Sequence, residues 1–369
     1  MNVCILGDGL VSLTLAKTLI NNKIKVYIYY ETNNKVLSNN RTIGVSSNNL
    51  SFLQKEVIKL KKNFSWGINQ IEIYNEKNKN EKILSFGDKK EKLFFTLKNK
   101  DLYQSLHKSL SREKNFQKIK IKKKSIFFNN IKNKNFDLII NCDLNNEISK
   151  KYFFNRIYKS YNSNAYVTII NHKKIDNQKA IQIFTKKGPI AFLPISNSQT
   201  SVVFSIKNKN LSLRRKFSDY DFQKLIKEYN KKYNIHSMEK FETFKLKSKN
   251  LRKYYTKNIL AFGELLHQIH PLSGQGFNMT LRDIKILLDI IKNKKTLGLQ
   301  IDHSVYSEFE KKTKHLNFLF ASGNDFIYEF FNYDNKYIQF IPQKFFSFLN
   351  KNKLFNNLAI NYANKGLNI

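Results

Sequence analysis

The chain has 369 residues, which is enough for one large or two modest domains with a buried core. It holds no run of about 18 apolar residues, which excludes an ordinary membrane-spanning helix. The formal net charge of +37 would by itself suggest a nucleic acid or an anionic membrane as partner. However, the chain is rich in Lys, Asn, Ile, Phe and Tyr and has only 12 Gly and 4 Pro, a bias that an AT-rich coding sequence produces. We therefore expect most lysines to be solvated surface residues, and we expect no nucleic-acid partner.

The two cysteines and the first residues indicate a reducing compartment. Cys4 and Cys142 both lie in apolar, strand-like runs, so we expect free buried thiols rather than a disulfide. Met1 leads directly into a predicted strand, so no signal peptide is expected. Together these features predict a cytoplasmic protein.

The N-terminal segment has the pattern of a dinucleotide-binding unit. Residues 2–6 form an apolar strand, and a turn with Gly7, Gly9 and Ser12 leads into an apolar helix. A second apolar strand then ends at Glu31, which comes 22 residues after Gly9. In such units the glycines admit a pyrophosphate and the acid binds the ribose hydroxyls. Ser12 replaces the third glycine and is small enough for close packing of the helix on the strand.

Two basic positions follow in the next part of the chain. Arg41 precedes the residues Thr-Ile-Gly-Val-Ser and a short helix. Residues 64–98 alternate polar and apolar side chains, as strands of a second domain do. Lys100 lies at the start of the next helix, which runs to Leu110.

The middle of the chain is predicted to be mostly β-structure. Residues 136–144 form an apolar strand that ends in Asp143-Leu144, and residues 163–207 carry four strand-like runs. One of these runs reads Gly188-Pro-Ile-Ala-Phe192-Leu193-Pro194.

The most informative stretch runs from Asn258 to Asp283. A short apolar strand reaches an acidic turn at Gly263-Glu264, and a loop with Pro271, Leu272, Ser273, Gly274, Gln275 and Gly276 opens a helix. A proline and two glycines before a helix let backbone N–H groups approach a ligand, and the positive end of the helix dipole points to the same place. His267 and His270 have no cysteine nearby, so we expect no metal site.

This stretch resembles the second FAD motif of the aromatic-ring flavoprotein hydroxylases, most closely the branch that hydroxylates ubiquinone precursors. The motif G-D-A-A-H-x-x-x-P-x-x-G-Q-G-x-N-x-x-x-x-D of that branch is matched at Gly263, His267, Pro271, Gly274, Gln275, Gly276, Asn278 and Asp283. The run from Gly188 to Pro194 is similar to the G-P-L-A-x-L-P segment of the same branch. The chain departs from the family at Glu264, where the family has Asp, and at Asn141 and Leu144, where it has Gly.

The resemblance implies a set of site residues. FAD would contact Gly7, Gly9, Ser12, Glu31, Arg41, Lys100, Gly263, Glu264, Pro271, Gly274, Gly276 and Asn278. Phe192, Leu193 and Pro194 would line the substrate pocket, and the loop from Pro271 to Gly276 would face the flavin. No side chain is assigned as a dedicated catalytic base.

The resemblance also implies the fold. We expect an α/β protein with a Rossmann-like FAD-binding domain of the para-hydroxybenzoate-hydroxylase type, an inserted mixed β-sheet substrate domain and C-terminal helices. The FAD-binding domain is predicted at residues 1–64, 96–150 and 250–300. The substrate domain is predicted at 65–95 and 151–249, and the helical region at 301–369.

The implied activity is an FAD-dependent monooxygenase that hydroxylates a polyprenyl phenol in ubiquinone biosynthesis by way of a flavin C4a-hydroperoxide. O2 is the co-substrate, and NAD(P)H or another donor is the reductant. The basic, aromatic C-terminal third suggests peripheral contact with the inner membrane, and a ubiquinone-biosynthesis complex is an expected partner. Two alternatives stay open, namely a related flavoprotein acting on another aromatic or prenyl substrate, and a flavin-free scaffold subunit of such a complex.

Overall fold

A computed structural model shows three β-sheets with helices between them. It describes residues 1–31, 40–76, 82–87, 91–121, 136–208, 218–230, 232–269 and 276–330. Among these residues the strands are β1 (Asn2–Leu6), β2 (Lys25–Tyr30), β3 (Thr42–Ser46), β4 (Trp66–Ile68), β5 (Gln70–Asn75), β6 (Lys82–Phe86), β7 (Phe94–Lys98), β8 (Phe116–Lys120), β9 (Leu138–Asn141), β10 (Arg156–His172), β11 (Lys179–Thr185), β12 (Gly188–Pro194), β13 (Gln199–Lys207), β14 (Ile235–Met238), β15 (Glu242–Leu251), β16 (Tyr255–Thr256), β17 (Ile259–Ala261) and β18 (His267–Gln268). The α-helices are α1 (Leu10–Asn21), α2 (Ser47–Phe52), α3 (Asn99–Leu110), α4 (Glu147–Tyr152), α5 (Asp219–Tyr229), α6 (Gly276–Thr296) and α7 (Ser304–Phe330).

The first sheet is a six-stranded sheet in the order β16-β17-β9-β1-β2-β8. All of its pairs are parallel except β16 with β17. Four of the five residues of β1 are buried, as expected for a central parallel strand that is covered on both faces. Helices α1 and α6 contribute to the same apolar core, so this sheet positions the predicted dinucleotide turn.

The second sheet has the order β18-β15-β10-β13-β12-β11-β5-β6, with β14 paired to β10. Helix α5 covers one face of it through Phe222 and Ile226, which are fully buried with apolar residues of β10, β12 and β13. Alternate side chains of these strands therefore face away from α5. Strand β18 belongs to this sheet although it lies within the second predicted FAD motif.

A third, three-stranded sheet has the order β3-β7-β4. Strand β3 follows Arg41, and the amide of Asn99 at the start of α3 donates to the Arg41 carbonyl over 2.9 Å. The Thr96 hydroxyl of β7 donates to the Pro194 carbonyl of the second sheet. This small sheet thus joins the basic segments of the predicted site to the β12–β13 hairpin. The residue ranges of the predicted domains stay a prediction.

Candidate flavin site

The turn after β1 has the backbone geometry that a dinucleotide loop requires. Gly7 has φ +97°, and its amide donates to the Tyr29 carbonyl over 2.8 Å. A Cβ on Gly7 would come within 3.1 Å of the Cβ of Asp143. Any residue other than glycine at this position would adopt an unfavourable φ angle and would also contact Asp143 too closely.

The N-terminus of α1 presents an open cradle to a ligand. Gly9 is the N-cap in an extended conformation, and no side chain within the described ranges caps the helix. The first intrahelical bond runs from Leu13 N–H to the Gly9 carbonyl, so the preceding N–H groups of the first turn point outward. Among the described residues, nothing lies within 4 Å of a Cβ added to Gly9. This combination of free donors, helix dipole and space fits a diphosphate.

Two further residues of the predicted dinucleotide unit lie beside this cradle. Ser12 is buried at 1% exposure in the first turn of α1, as its predicted packing role requires. Glu31 directly follows the last residue of β2, at the carboxyl edge of the parallel sheet where ligands of such folds bind.

The thiol of Cys142 lies beside the Ser12 side chain. Burial raises the pKa of this thiol to about 12, so the group is a neutral thiol.

The acidic turn of the second motif packs directly on the dinucleotide turn. Gly263 has φ +64° and opens a short 3₁₀ turn, and a Cβ here would lie 2.6 Å from Cγ1 of Val11 in α1. Because only glycine fits this approach, the next residue, Glu264, is held beside the N-terminus of α1. Two stretches about 250 residues apart therefore form one site, as the sequence patterns predict for a shared cofactor.

The structure also pairs two of the predicted cofactor residues with each other. The guanidinium of Arg41 lies 3.1 Å from the carboxylate of Glu264, and both side chains are about half exposed. Lys100 lies near this pair because the amide of its neighbour Asn99 is bonded to the Arg41 carbonyl. The exposure of the ion pair leaves both charges accessible to a ligand.

Asn278, a predicted cofactor residue, has its side chain occupied by the protein. Its carboxamide oxygen accepts from the Ser46 amide over 3.0 Å and from the Asn49 side chain over 2.9 Å. Its nitrogen donates to the Gly44 carbonyl over 3.0 Å. The side chain therefore fixes α6 to β3 and α2, and any contact of Asn278 with a cofactor is left to its backbone N–H in the first turn.

Most of the predicted flavin-facing loop lies outside the described residues. This applies to His270, Pro271, Leu272, Ser273, Gly274 and Gln275. Gly276 is described and begins α6, where a Cβ would find Ile269 as its nearest neighbour, at 4.0 Å. Among the described residues outside α6 itself, no other atom comes within 4 Å of this Cβ position.

A buried polar network connects the two sides of this loop. His267 of β18 lies 2.8 Å from the carboxylate of Asp283 in α6, and both side chains are essentially unexposed. Asn317 of α7 donates to the same carboxylate over 3.5 Å and to the Tyr254 hydroxyl over 3.2 Å. Arg282 lies 3.7 Å from the other carboxylate oxygen. The His and Asp of the sequence motif are therefore structural partners that hold β18 on α6.

The predicted pocket residues divide between the two faces of the second sheet. Phe192 points into the core under α5, with 2% exposure and its ring 5.8 Å from the ring of Tyr233. Phe192 thus lies on the face of the sheet that α5 covers, and its assignment to the pocket stays a prediction, because strand alternation does not say which face a helix covers. Leu193 is half-buried on the opposite face, and the carbonyl of Pro194 contacts β7.

The sequence interpretation missed one charged pair at the dinucleotide turn. Asp8, between the two glycines of the turn, forms an ion pair of 3.0 Å with Lys118 of β8. The sequence contains a signal for this pair, because a carboxylate inside a phosphate-binding turn requires a positive charge nearby. Among the described residues no group of three or more metal-ligating side chains exists, and no described helix is long and apolar enough to cross a membrane.

Solved structures with the same architecture are FAD-dependent monooxygenases. The p-nitrophenol 4-monooxygenase PnpA of Pseudomonas putida DLL-E4 superposes with a TM-score of 0.77 at 10% identity, covering 98% of both chains. HpxO of Klebsiella pneumoniae, solved with FAD and uric acid, gives 0.71 at 12% identity over 99% of this chain and 96% of that one. The chain therefore has the para-hydroxybenzoate-hydroxylase-like fold, and the predicted fold class is confirmed.

The family model described as squalene epoxidase matches residues 136–364, more than half of the chain. The chain belongs to this family. Among curated proteins it is 26% identical to the 3-demethoxyubiquinol 3-hydroxylase of Escherichia coli K12 over 153 residues, which are 41% of this chain and 39% of that protein. It is 24% identical to the ubiquinone biosynthesis monooxygenase COQ6 of Dictyostelium discoideum over 270 residues, 60% and 54% of the two chains. The chain thus spans about half or less of the curated relatives it matches.

Proposed function

We propose that the protein is an FAD-dependent monooxygenase that hydroxylates the aromatic ring of a polyprenyl phenol in ubiquinone biosynthesis. The observation that carries the proposal is the assembly of the site from distant segments. Gly263 lies against Val11 of the dinucleotide turn, and Arg41 is paired with Glu264. The names of the curated relatives support the substrate class, since they are ubiquinone hydroxylases.

The described residues fit the adenosine half, the diphosphate and the polar middle of FAD. The N–H groups after Gly9 would hold the diphosphate, and Glu31 would accept from the ribose of the adenosine half. Arg41 and Glu264 would bind the polar middle of the cofactor, and the first turn of α6 would face its ring system. When bound, the flavin supplies the activation of O2 for transfer of a hydroxyl group to an electron-rich ring.

The protein itself would orient the two reactants and keep water away. The N–H groups at the start of α6 would stabilise negative charge that develops on the ring system next to them. The face of the second sheet that carries Leu193 would form an apolar wall for the phenol and its prenyl chain. Since the substrate is a lipid, contact with a membrane surface or with a ubiquinone-biosynthesis complex would deliver it. NAD(P)H is the proposed reductant.

Purification and single-turnover assays test this function. The protein should be yellow, with absorbance near 450 nm that is released on denaturation. After chemical reduction of the flavin, addition of O2 and a short-chain polyprenyl phenol should yield a hydroxylated ring detectable by mass spectrometry. A flavoprotein that consumes O2 without hydroxylating any polyprenyl phenol would refute the substrate class while leaving the monooxygenase class intact.

A second candidate is a flavin-free scaffold subunit of a quinone-biosynthesis complex. It is favoured by the Asp143-Leu144 sequence next to Gly7, where the family carries an acid-glycine pair, and by the Arg41–Glu264 contact, in which two predicted ligands already satisfy each other. A colourless protein that does not bind added FAD would refute the flavoenzyme and favour this alternative, which then requires co-purification with enzymes of quinone biosynthesis.

A further inference from the structure

The dinucleotide turn carries a negative charge of its own. Asp8 lies between Gly7 and Gly9, and its side chain is about one-third exposed. A dinucleotide brings two phosphate charges to this turn, because the N–H groups that would bind them follow directly after Gly9. An uncompensated carboxylate here would repel the ligand that the turn is shaped to bind.

Lys118 supplies the opposite charge from a different part of the chain. It lies in β8, the edge strand next to β2, and its ammonium is 3.0 Å from the carboxylate of Asp8. The ammonium is also 4.5 Å from the centre of the Tyr30 ring and interacts electrostatically with the hydroxyl of Tyr103 in α3. Three elements thus fix the position of this charge, while its side chain is only 19% exposed.

This environment keeps Lys118 protonated. Burial acts to lower the pKa of its ammonium, but the hydrogen bond and attraction to Asp8 outweigh that effect, so the pKa lies above its ordinary value. Lys118 is therefore a cation throughout the physiological range. Lys118 contacts Tyr30, and Tyr30 directly precedes Glu31. The ammonium therefore lies at the end of the cradle where the adenosine half of FAD would lie.

We propose that Lys118 is a cofactor-positioning residue that neutralises Asp8 and so makes the Gly7–Ser12 turn able to accept the diphosphate of FAD. The inference rests on the proposed FAD binding and deepens it. An exposed ion pair contributes little to stability, so the loss of the pair alone would not account for a large change in FAD affinity. In this proposal, the loss of FAD affinity on replacing Lys118 is caused by the charge of Asp8. The loss should therefore disappear when Asp8 is also made neutral.

The test is a double-mutant cycle on the FAD dissociation constant, measured by quenching of flavin fluorescence with apoprotein. Lys118→Gln should weaken FAD binding by about tenfold at low salt, because the Asp8 charge then faces the diphosphate. Asp8→Asn should bind FAD as tightly as wild type or more tightly. The variant with both changes should return to within about threefold of Asp8→Asn.

Two controls separate charge from folding. The deficit of Lys118→Gln should shrink between about 0.05 and 0.5 M salt, since screening weakens repulsion but does not restore a lost structural contact. The control variant is Lys17→Gln. Lys17 lies on α1 away from the turn and is paired with Glu113, so its replacement should leave the FAD affinity unchanged. Thermal unfolding of each apoprotein checks that all variants fold.

The outcomes are distinct. If wild type binds FAD and Lys118→Gln binds equally well, or if the double variant stays as weak as Lys118→Gln, the inference is overturned and the proposed function stands. If wild type binds no FAD under any condition, the proposed function fails and the inference fails with it.

Discussion

At the scale of single residues, Gly9 offers the most direct test of the cofactor site. A Cβ at this position meets no atom of the part of the chain that the structure describes within 4 Å, so Gly9→Val should fold normally. The branched side chain would fill the space in front of the first N–H groups of α1, where the diphosphate must approach. We expect FAD binding to fall at least a hundredfold with little change in the unfolding midpoint. A variant as yellow as wild type would mean that this turn does not hold the cofactor.

Glu264 provides a second test at this scale. The structure places its carboxylate against Arg41, and the sequence departs here from the aspartate of the family. Glu264→Ala should weaken FAD binding. A lost charge-assisted hydrogen bond costs at most about 1.5–3 kcal/mol of binding free energy. We expect a smaller loss here, because the Glu264 side chain is about half exposed and solvent screens its charge.

The matched variant is Glu264→Asp, which keeps the charge on a shorter side chain. We expect it to bind FAD more tightly than wild type, because it restores the family residue at this turn. The FAD dissociation constants of the three proteins, measured by titration, test this prediction. Equal affinity of Glu264→Ala and wild type would show that Glu264 does not bind FAD.

At the scale of elements, the His267–Asp283 pair should dominate the stability of the region around α6. Both side chains are unexposed, and truncating Asp283 leaves the buried His267 ring without its hydrogen-bond partner and the guanidinium of Arg282 without its nearby carboxylate. Asp283→Ala should therefore lower the free energy of unfolding by about 3–5 kcal/mol, measured by chemical denaturation. Asp283→Asn keeps an acceptor for His267 and should lose less. Similar losses for both variants would show that the charge itself, rather than the hydrogen bond, is needed.

Elements also show where sequence reasoning succeeds and where it stops. The Gly7–Ser12 turn and the Gly263 turn were predictable, because positive φ angles and close backbone approaches leave glycine as a local signal. The Arg41–Glu264 and Asp8–Lys118 pairs were not, because they join residues far apart in the chain and depend on how the sheets meet. The opposite orientations of Phe192 and Leu193, which were predicted together as pocket residues, show the same limit, since alternation in a strand identifies two faces but not which one a helix covers.

At the scale of the whole molecule, exposed apolar side chains bear on the proposed membrane contact. Several large ones lie on or near β10 and α7: Phe154, Tyr158, Phe318, Leu319 and Phe326. With the net charge of +37, such side chains favour binding to an anionic bilayer surface. We expect the protein to float with phosphatidylserine-containing liposomes at low salt and to be partly released at high salt. Absence of binding under both conditions would leave a protein complex as the route to the lipid substrate.

The place of β17 in the first sheet has a consequence for synthesis in the cell. Strand β17 pairs with β9, which in turn pairs with β1, so residues near position 260 complete a sheet that the first residues begin. The turn that carries Glu264 follows directly after β17. A nascent chain on the ribosome therefore cannot assemble the nucleotide site until those late residues have emerged from the exit tunnel. Availability of FAD should accordingly affect the yield of folded protein only after most of the chain has been translated.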